Sequence, residues 1–421
     1  MGILTTPPKG MREFTAEQVE LRKYVYNTIL QTYAKFGFRE IETPCIENIN
    51  LLSSGEGGEN EKLMFKILKR GDKLKHGAAE DLADLGLRFD LTVPLSRFYA
   101  NNHGKLPKIS KFIQIGNVWR AERPQKGRYR QLTQCDIDMI GESSVLAELE
   151  LINATTTTLN QFGLSDFTLK INDRRLLQSV VQYCGFAEQD ASKVFIILDK
   201  LDKIGISGVQ EELLKTGYEQ QHVDKLIDLL ASFENKSFEE FAAENEQKGF
   251  VEKEILEDLI FVMNEARSQS SGDLRIEFDL SLVRGMGYYT GLIFEIKTPN
   301  YSWSIAGGGR YDKMVGKLMK GKPSVPACGF SIGFERIVLI LEEQGFQVPA
   351  QAEKILLIGD KNKEGMSRLL TEANKFRAEG KLVTTDKKWK NVSKQIDSYK
   401  AQGFTSFAIL REDQPVELKE I

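Results

Sequence analysis

The sequence is poor in the residues that build metal centres and covalent frameworks. Among 421 residues there are four cysteines, Cys45, Cys135, Cys184 and Cys328, with no CxxC pair, and three scattered histidines, His76, His103 and His222. That argues against a zinc site or a disulfide-held fold and suits a reducing compartment, so a cytoplasmic location is expected. No apolar run approaches the roughly 20 residues of a membrane span, and the first residues lack a secretory apolar core. A membrane partner is therefore not expected. Neither sign of charge prevails, with 57 Lys and Arg against 60 Asp and Glu, so contact with a nucleic acid has to come from local patches. The dinucleotide fingerprint GxGxxG and the phosphate loop ending in Gly-Lys-Ser/Thr are both missing.

What is present is a concentration of arginine. WRAERPQKGRYRQLTQCDID, from Trp119 to Asp138, begins and ends in strand-like sequence and carries Arg120, Arg123, Lys126, Arg128 and Arg130 around a turn with Pro124 and Gly127. It reads as a cationic hairpin. Guanidinium forks match phosphate oxygens in pairs, so a polyphosphate is the first ligand to consider. On the return strand Gln134, Asp136 and Asp138 share one face at period two, which fits either a solvated edge or a polar pocket.

Other segments supply context. A capping box of Thr15 with Gln18 opens a helix that Gly37 ends, and FREIETPCIEN follows as an edge strand interrupted by Pro44. In RFDLTVPLSRFYA a strand passes into a helix, with Thr92 as N-cap and Pro94 in the first turn. Asp90 then stands at a strand end, where it either holds the turn or serves a ligand. Residues 145–161 read as a helix and FTLKIND as a strand, and from about 186 to 249 charged helical segments form an inserted subdomain. FDLSLVRGMGYYTGLIFEI reads as a strand pair with glycines beside Arg284, and SIAGGGRYD is compatible with a hairpin turn. In CGFSIGFERIVLILEEQG a strand turns into a helix whose first turn sets Arg336 against the positive end of the dipole. Either an anionic ligand or exposure to water would relieve that. Beyond a hinge at 348–353, KILLIGD and SFAILRE alternate with amphipathic helices as in a small α/β domain. There Lys387, Lys388, Trp389 and Lys390 mix charge with an aromatic, which fits RNA or a solvated helix start.

These segments, in this order, resemble the histidyl-tRNA synthetases, members of the class II aminoacyl-tRNA synthetases, and the resemblance covers nearly the whole chain. PKGMREF is similar to the family's opening segment, the first helix with ETPCIEN to motif 1, the arginine hairpin to motif 2 and CGFSIGFERI to motif 3. LVRGMGYYTG and SIAGGGRYD are similar to two segments specific to the histidine enzymes. The resemblance implies an α+β fold: a class II antiparallel sheet flanked by helices, with a helical insertion and a small C-terminal α/β domain. It divides the chain into a catalytic core over 1–185 and 266–347, the insertion over 186–265, and an anticodon-binding-like domain over 348–421. The implied reaction is activation of histidine by ATP, with Mg²⁺, to histidyl-adenylate and pyrophosphate, then transfer to tRNA(His). The implied assembly is a homodimer through motif 1.

The same resemblance implies residue roles. Arg120 matches the arginine on the α-phosphate, Arg284 the catalytic arginine on the opposite side of the reacting centre, and Arg336 the arginine on the γ-phosphate. Glu122 and Arg128 match further ATP-holding positions. Asp90, Thr92 and Gln134 match positions for the α-amino end of histidine, Asp138 and Tyr289 those facing the ring, with Tyr288 and Tyr311 in the same pocket. Lys387, Lys388, Trp389 and Lys390 are candidates for tRNA. No dedicated metal cage is implied, so Mg²⁺ is expected to come mainly with ATP. Three departures stand out. Gly287 replaces a frequent aspartate, Leu132 replaces the aromatic on which adenine usually stacks, and VELKEI stops short of the family's last strand and helix. A rival reading is a non-catalytic, synthetase-like regulatory subunit of histidine biosynthesis.

Overall fold

The computed structural model describes residues 5–53, 63–71, 82–233, 236–270, 274–283, 287–319, 324–349, 352–411 and 414–421. The chain divides into two compact units, one of Met1–Glu13 with Arg22–Gly345 and one of Phe14–Leu21 with Phe346–Ile421. The strands of the larger unit begin with β1 (Arg39–Glu40), β2 (Ile46–Asn48), β3 (Lys66–Leu68), β4 (Ala83–Leu87), β5 (Ser110–Trp119) and β6 (Gln131–Ile140). They continue with β7 (Thr168–Asp173), β8 (Arg275–Phe278), β9 (Leu292–Lys297), β10 (Ser304–Arg310) and β11 (Ala327–Ile332).

Among the described residues eight of these strands form one sheet in the order β1-β5-β6-β11-β10-β9-β7-β8. Its interior pairs run antiparallel and its two outermost pairs, β1 with β5 and β7 with β8, run parallel. The chain is thus a helix-flanked, mainly antiparallel sheet, as the motifs imply. β2, β4 and β3 make a separate three-stranded sheet. FREIETPCIEN is therefore not one interrupted strand. Its first residues close the edge of the large sheet, Pro44 falls in the connection, and its last residues join the small sheet. Proline cannot donate to a ladder, which is why the chain changes sheets there.

The helical block comprises Ala191–Leu198, Leu201–Lys215, Gln220–Phe233, Phe238–Lys248 and Lys253–Gln269. Its core includes the rings of Phe233, Phe241 and Phe250, with centroids 4.8 and 5.5 Å apart along the series. The last of these helices passes the expected boundary at 265 and packs on Leu146–Gln161, β7 and β8, so its buried stripe serves the sheet as well.

In the smaller unit β12 (Lys354–Gly359) lies parallel to β13 (Leu382–Lys387) and β14 (Ser406–Ile409), and β15 (Lys419–Glu420) runs antiparallel to β14. Ile355, Leu357, Leu369, Ala373 and Ala408 form its core. Lys387 ends β13, Lys388 donates its backbone N–H to Gly359, and Trp389 is 40% exposed just before the helix Val392–Lys400.

Candidate active site

Strand alternation decides which side chains meet. On β6 the odd positions Cys135, Ile137 and Met139 are buried on the side of the helices, so Gln134, Asp136 and Asp138 turn to the opposite face. In register, Gly329 lies opposite Asp138 and Ser331 opposite Asp136, while Gly309 and Gly307 of β10 lie opposite those. The floor is therefore almost bare of side chains. A Cβ on Gly329 would stand 2.2 Å from Asp138 Oδ1, so the glycine is what lets that carboxylate lie across the neighbouring strand. SIAGGGRYD is accordingly an internal strand and not a hairpin turn. The glycines admit close approach of the next strand and leave open volume, uses that a turn signal does not distinguish.

Over this floor lies a groove of about 830 Å³. Toward one end Tyr311 donates its hydroxyl to Asp138 Oδ1 at 2.6 Å, and the ring of Tyr288 lies 4.9 Å from that of Tyr289 and 6.0 Å from that of Tyr311. Toward the other end stand Leu132, Arg128 and Arg336, with Arg120 between. Arg120 Nε donates to the Phe89 carbonyl at 2.9 Å and a terminal nitrogen reaches Gln134 Oε1 at 3.4 Å. The groove is thus acidic and aromatic at one end and cationic at the other.

Burial dominates the acidic end. Desolvation raises the carboxyl of Asp90 to about 6 and that of Asp136 to about 7, and pushes Asp138 well above its ordinary range. The Arg120 charge opposes this at Asp90 and Asp136, while Asp90 raises Asp136 and both raise Asp138. Gln134 donates to Asp136 Oδ2 at 2.7 Å. Even so, Asp90 Oδ2, Asp136 Oδ1 and Asp138 Oδ2 are buried with no hydrogen-bond partner among the described residues. Buried acceptors without donors are costly, so this arrangement calls for a ligand that brings positive charge and N–H groups.

The individual expectations fare unequally. Thr92 is not the N-cap: the helix Thr92–Asn102 begins on it, and Asp90 Oδ1 accepts from the Val93 N–H at 3.1 Å. A carboxylate two residues before the helix reaches the free amide better than a hydroxyl already inside the first turn. Asp90 thus holds the turn with one oxygen and keeps the other available. Thr92 lines the groove beside Tyr288. Arg336 does not extend to water. It is half-buried, donates to the Ser304 carbonyl and lies 5.3 Å from the Trp303 ring. Glu122 stands 4.0 Å from Arg128 in the hairpin. Arg284 falls outside the described residues, whereas Gly287 borders the groove. Lys387, Lys388, Trp389 and Lys390 belong to the smaller unit.

Some contributors carried no assignment from the sequence. Asp136 shares the face of Gln134 and Asp138, and its period-two position was the available signal. Asp199, Lys200 and Lys203 of the helical block also line the groove, and nothing in their local sequence points there.

Comparison with known proteins adds lineage to this geometry. A histidyl-tRNA synthetase family model matches residues 10–337. The histidine–tRNA ligase of Leifsonia xyli subsp. xyli is 43% identical over 430 residues, covering 97% of this chain and 96% of the relative. The crystal structure of histidyl-tRNA synthetase from Nostoc sp. PCC 7120 superposes with a TM-score of 0.80 at 27% identity, covering 100% of this chain and 95% of that one. A Bacillus halodurans structure described as an ATP phosphoribosyltransferase regulatory subunit/histidyl-tRNA synthetase shares the fold, with a TM-score of 0.76 at 21% identity over 98% of this chain and 100% of that one.

Proposed function

The chain belongs to the histidyl-tRNA synthetase family, a family of ATP-dependent ligases that join histidine to tRNA, and from that premise we propose how its groove divides the work. The observation that carries the reading is the pairing of buried carboxylate oxygens without a partner among the described residues at one end with Arg128 and Arg336 at the other and Arg120 between. Histidine suits the first, with an ammonium and a ring N–H, and ATP the second.

In this reading Asp90, Thr92 and Gln134 hold the ammonium, with Asp136 beneath, and Asp138 accepts from the imidazole within the wall of Tyr288, Tyr289 and Tyr311. A site built on such a bond rejects analogues lacking the donor by roughly 10⁴–10⁵. Arg336 takes the γ-phosphate, Glu122 and Arg128 hold the nucleotide, and Leu132 gives adenine an aliphatic contact. A histidine carboxylate oxygen then attacks the α-phosphorus, the bond to the bridging oxygen breaks, and pyrophosphate leaves. Arg120, and Arg284 in the role the family resemblance implies for it, neutralise charge as it builds. In the second step a ribose hydroxyl at the tRNA 3′ end attacks the activated carbonyl and AMP departs.

Among the described residues no three His, Cys, Asp or Glu side chains converge as metal ligands. Mg²⁺ is proposed to enter on the phosphates of ATP, where it would offset their charge. The Lys387–Lys390 segment is proposed to meet tRNA backbone, and the motif 1 region, the first helix with the segment that ends in β2, to form a homodimer. Among the described residues no helix is long and apolar enough to cross a membrane.

The test is histidine-dependent exchange of label between pyrophosphate and ATP. Exchange with histidine and not with other amino acids is expected. Its absence in folded protein that still binds a biosynthetic partner would instead favour the regulatory-subunit reading.

A further inference from the structure

Residues 8–13 lie away from the histidine end, yet they touch both elements proposed to hold ATP. Gly10 accepts the Arg130 N–H at 2.8 Å with its carbonyl. Its φ is +82°, and a Cβ there would come within 2.7 Å of Pro124 and 2.8 Å of Arg130. The backbone at Gly10 therefore lies flush against both arms of the cationic hairpin, in a conformation that favours glycine. Arg130 in turn donates Nε to the Glu122 carbonyl at 3.0 Å. Two residues on, the Arg12 guanidinium sits 3.5 Å over the Tyr129 ring, next to Arg128.

The same guanidinium pairs with Glu335, which directly precedes Arg336. Glu335 is also gripped by Arg22 at 2.7 and 2.8 Å and accepts the Thr133 N–H at 3.0 Å. These bonds hold its carboxyl below the usual range despite burial, so it stays an anion to which both the hairpin and the helix Phe334–Glu343 are tied. Arg12 thus bridges the loop bearing Glu122 and Arg128 to the helix bearing Arg336.

We propose that the segment around Gly10 and Arg12 is a strap that fixes the hairpin relative to that helix, making Arg12 a positioning residue for ATP and not for histidine. The inference rests on the proposed division of the groove. Arg12 need not touch the nucleotide. It removes freedom that ATP binding would otherwise have to freeze out, a preorganising effect.

The experiment compares Arg12→Ala, Arg12→Lys and Gly10→Ala with the parent in pyrophosphate exchange, with deuterium exchange of the 120–130 peptide followed in parallel. Arg12→Ala is expected to raise KM for ATP roughly fivefold to tenfold, the scale of one cation–π contact with a charge-assisted bond. KM for histidine should stay within about twofold, and the hairpin should exchange faster while peptides of β9 and β11 do not. Arg12→Lys keeps the pairing with Glu335 but not the flat stacking, so it should fall between. Gly10→Ala should reproduce the ATP effect. An unchanged KM for ATP with unchanged hairpin exchange would overturn the strap. So would equal losses for ATP and histidine with a lowered Tm, the signature of a merely structural contact. If the parent protein shows no histidine-dependent exchange, the proposed function fails, while hairpin deuterium exchange still decides whether the strap exists.

Discussion

Asp136 occupies a place where a carboxylate by itself is poorly tolerated, with desolvation and Asp90 both raising its proton affinity. The consequence for stability has a definite sign. Folded values of about 6 for Asp90 and about 7 for Asp136 exceed the unfolded reference of about 3.9, so the folded state binds the extra protons. Their favourable contribution is complete below about pH 4 and is lost as pH climbs through about 6 and 7. Ligand-free protein should therefore lose stability from these groups across that window, while histidine, whose ammonium stays charged there, should raise Tm more at pH 8 than at pH 5.5. Asp136→Asn should remove part of that slope, giving a ligand-free protein more heat-stable than the parent at pH 8 by ~2–4 °C but weaker toward histidine. Thermal unfolding across pH, with and without histidine, checks this, and a parallel slope in the variant would exclude Asp136 as its source. Gly329→Ala tests the adjoining contact: a methyl 2.2 Å from Asp138 Oδ1 should raise KM for histidine at least ~10-fold, about 1.4 kcal/mol, with KM for ATP little changed. A place in the groove was legible where a motif fixed it, as for Arg120, Gln134 and Asp138. It was ambiguous where local chemistry had two outlets. Asp90 holds the turn with one oxygen and keeps the other without a partner among the described residues, since a carboxylate has two oxygens and the turn consumes one. Arg12 was invisible because its partners, Tyr129 and Glu335, are far away in sequence.

Elements were read best where periodicity ran long. The hairpin of β5 and β6 and the helix after motif 3 follow their patterns, because the alternation from Gln134 to Met139 and the apolar stripe after Glu335 each define a buried face. Short glycine-rich and proline-broken pieces were read less well. Gly307, Gly308 and Gly309 fit a turn by composition, yet they sit mid-strand because β10 must approach β11 more closely than any side chain allows. A Cβ on Gly308 would meet the Gly329 carbonyl oxygen at 2.0 Å and Phe330 Cα at 2.8 Å. Both are backbone atoms, so no rotamer change can relieve the clash. Gly308→Ala should therefore cost about 1–3 kcal/mol as an overpacking change, read as a lower urea midpoint at unchanged m-value. It should also weaken both substrates, since β10 and β11 form the floor beneath each. A midpoint equal to the parent's would mean that the strands separate more easily than their registers suggest.

At the scale of the molecule, the unit that carries the groove shows a second apolar surface among the described residues. β2 and β3 are the two edges of the small sheet, and Ile46 and Leu68 on them are 47% and 58% exposed. Edge strands with large exposed apolar side chains invite a partner, and a two-fold interface would let one patch meet its own copy. This surface is joined through the backbone to the proposed histidine end. β4, the strand between those edges, runs directly into Arg88 and Asp90. Arg88 is buried, donating to the Thr43 carbonyl at 2.7 Å and the Asn117 carbonyl at 2.8 Å, while its own carbonyl accepts the Trp119 N–H at 2.9 Å. The small sheet thus has a backbone and hydrogen-bonded route through Arg88 to the segment that carries Asp90 and to the strand leading into the arginine hairpin. The parent protein is expected to sediment as a dimer, and the pair Ile46→Lys with Leu68→Lys as a monomer of unchanged helical content. Through Arg88 the monomer should lose histidine affinity by about tenfold or more, roughly 1.4 kcal/mol, before it loses ATP affinity. A variant that stays dimeric would place the interface elsewhere. A monomer with parental KM for histidine would show that the small sheet and the groove are independent despite the shared strand.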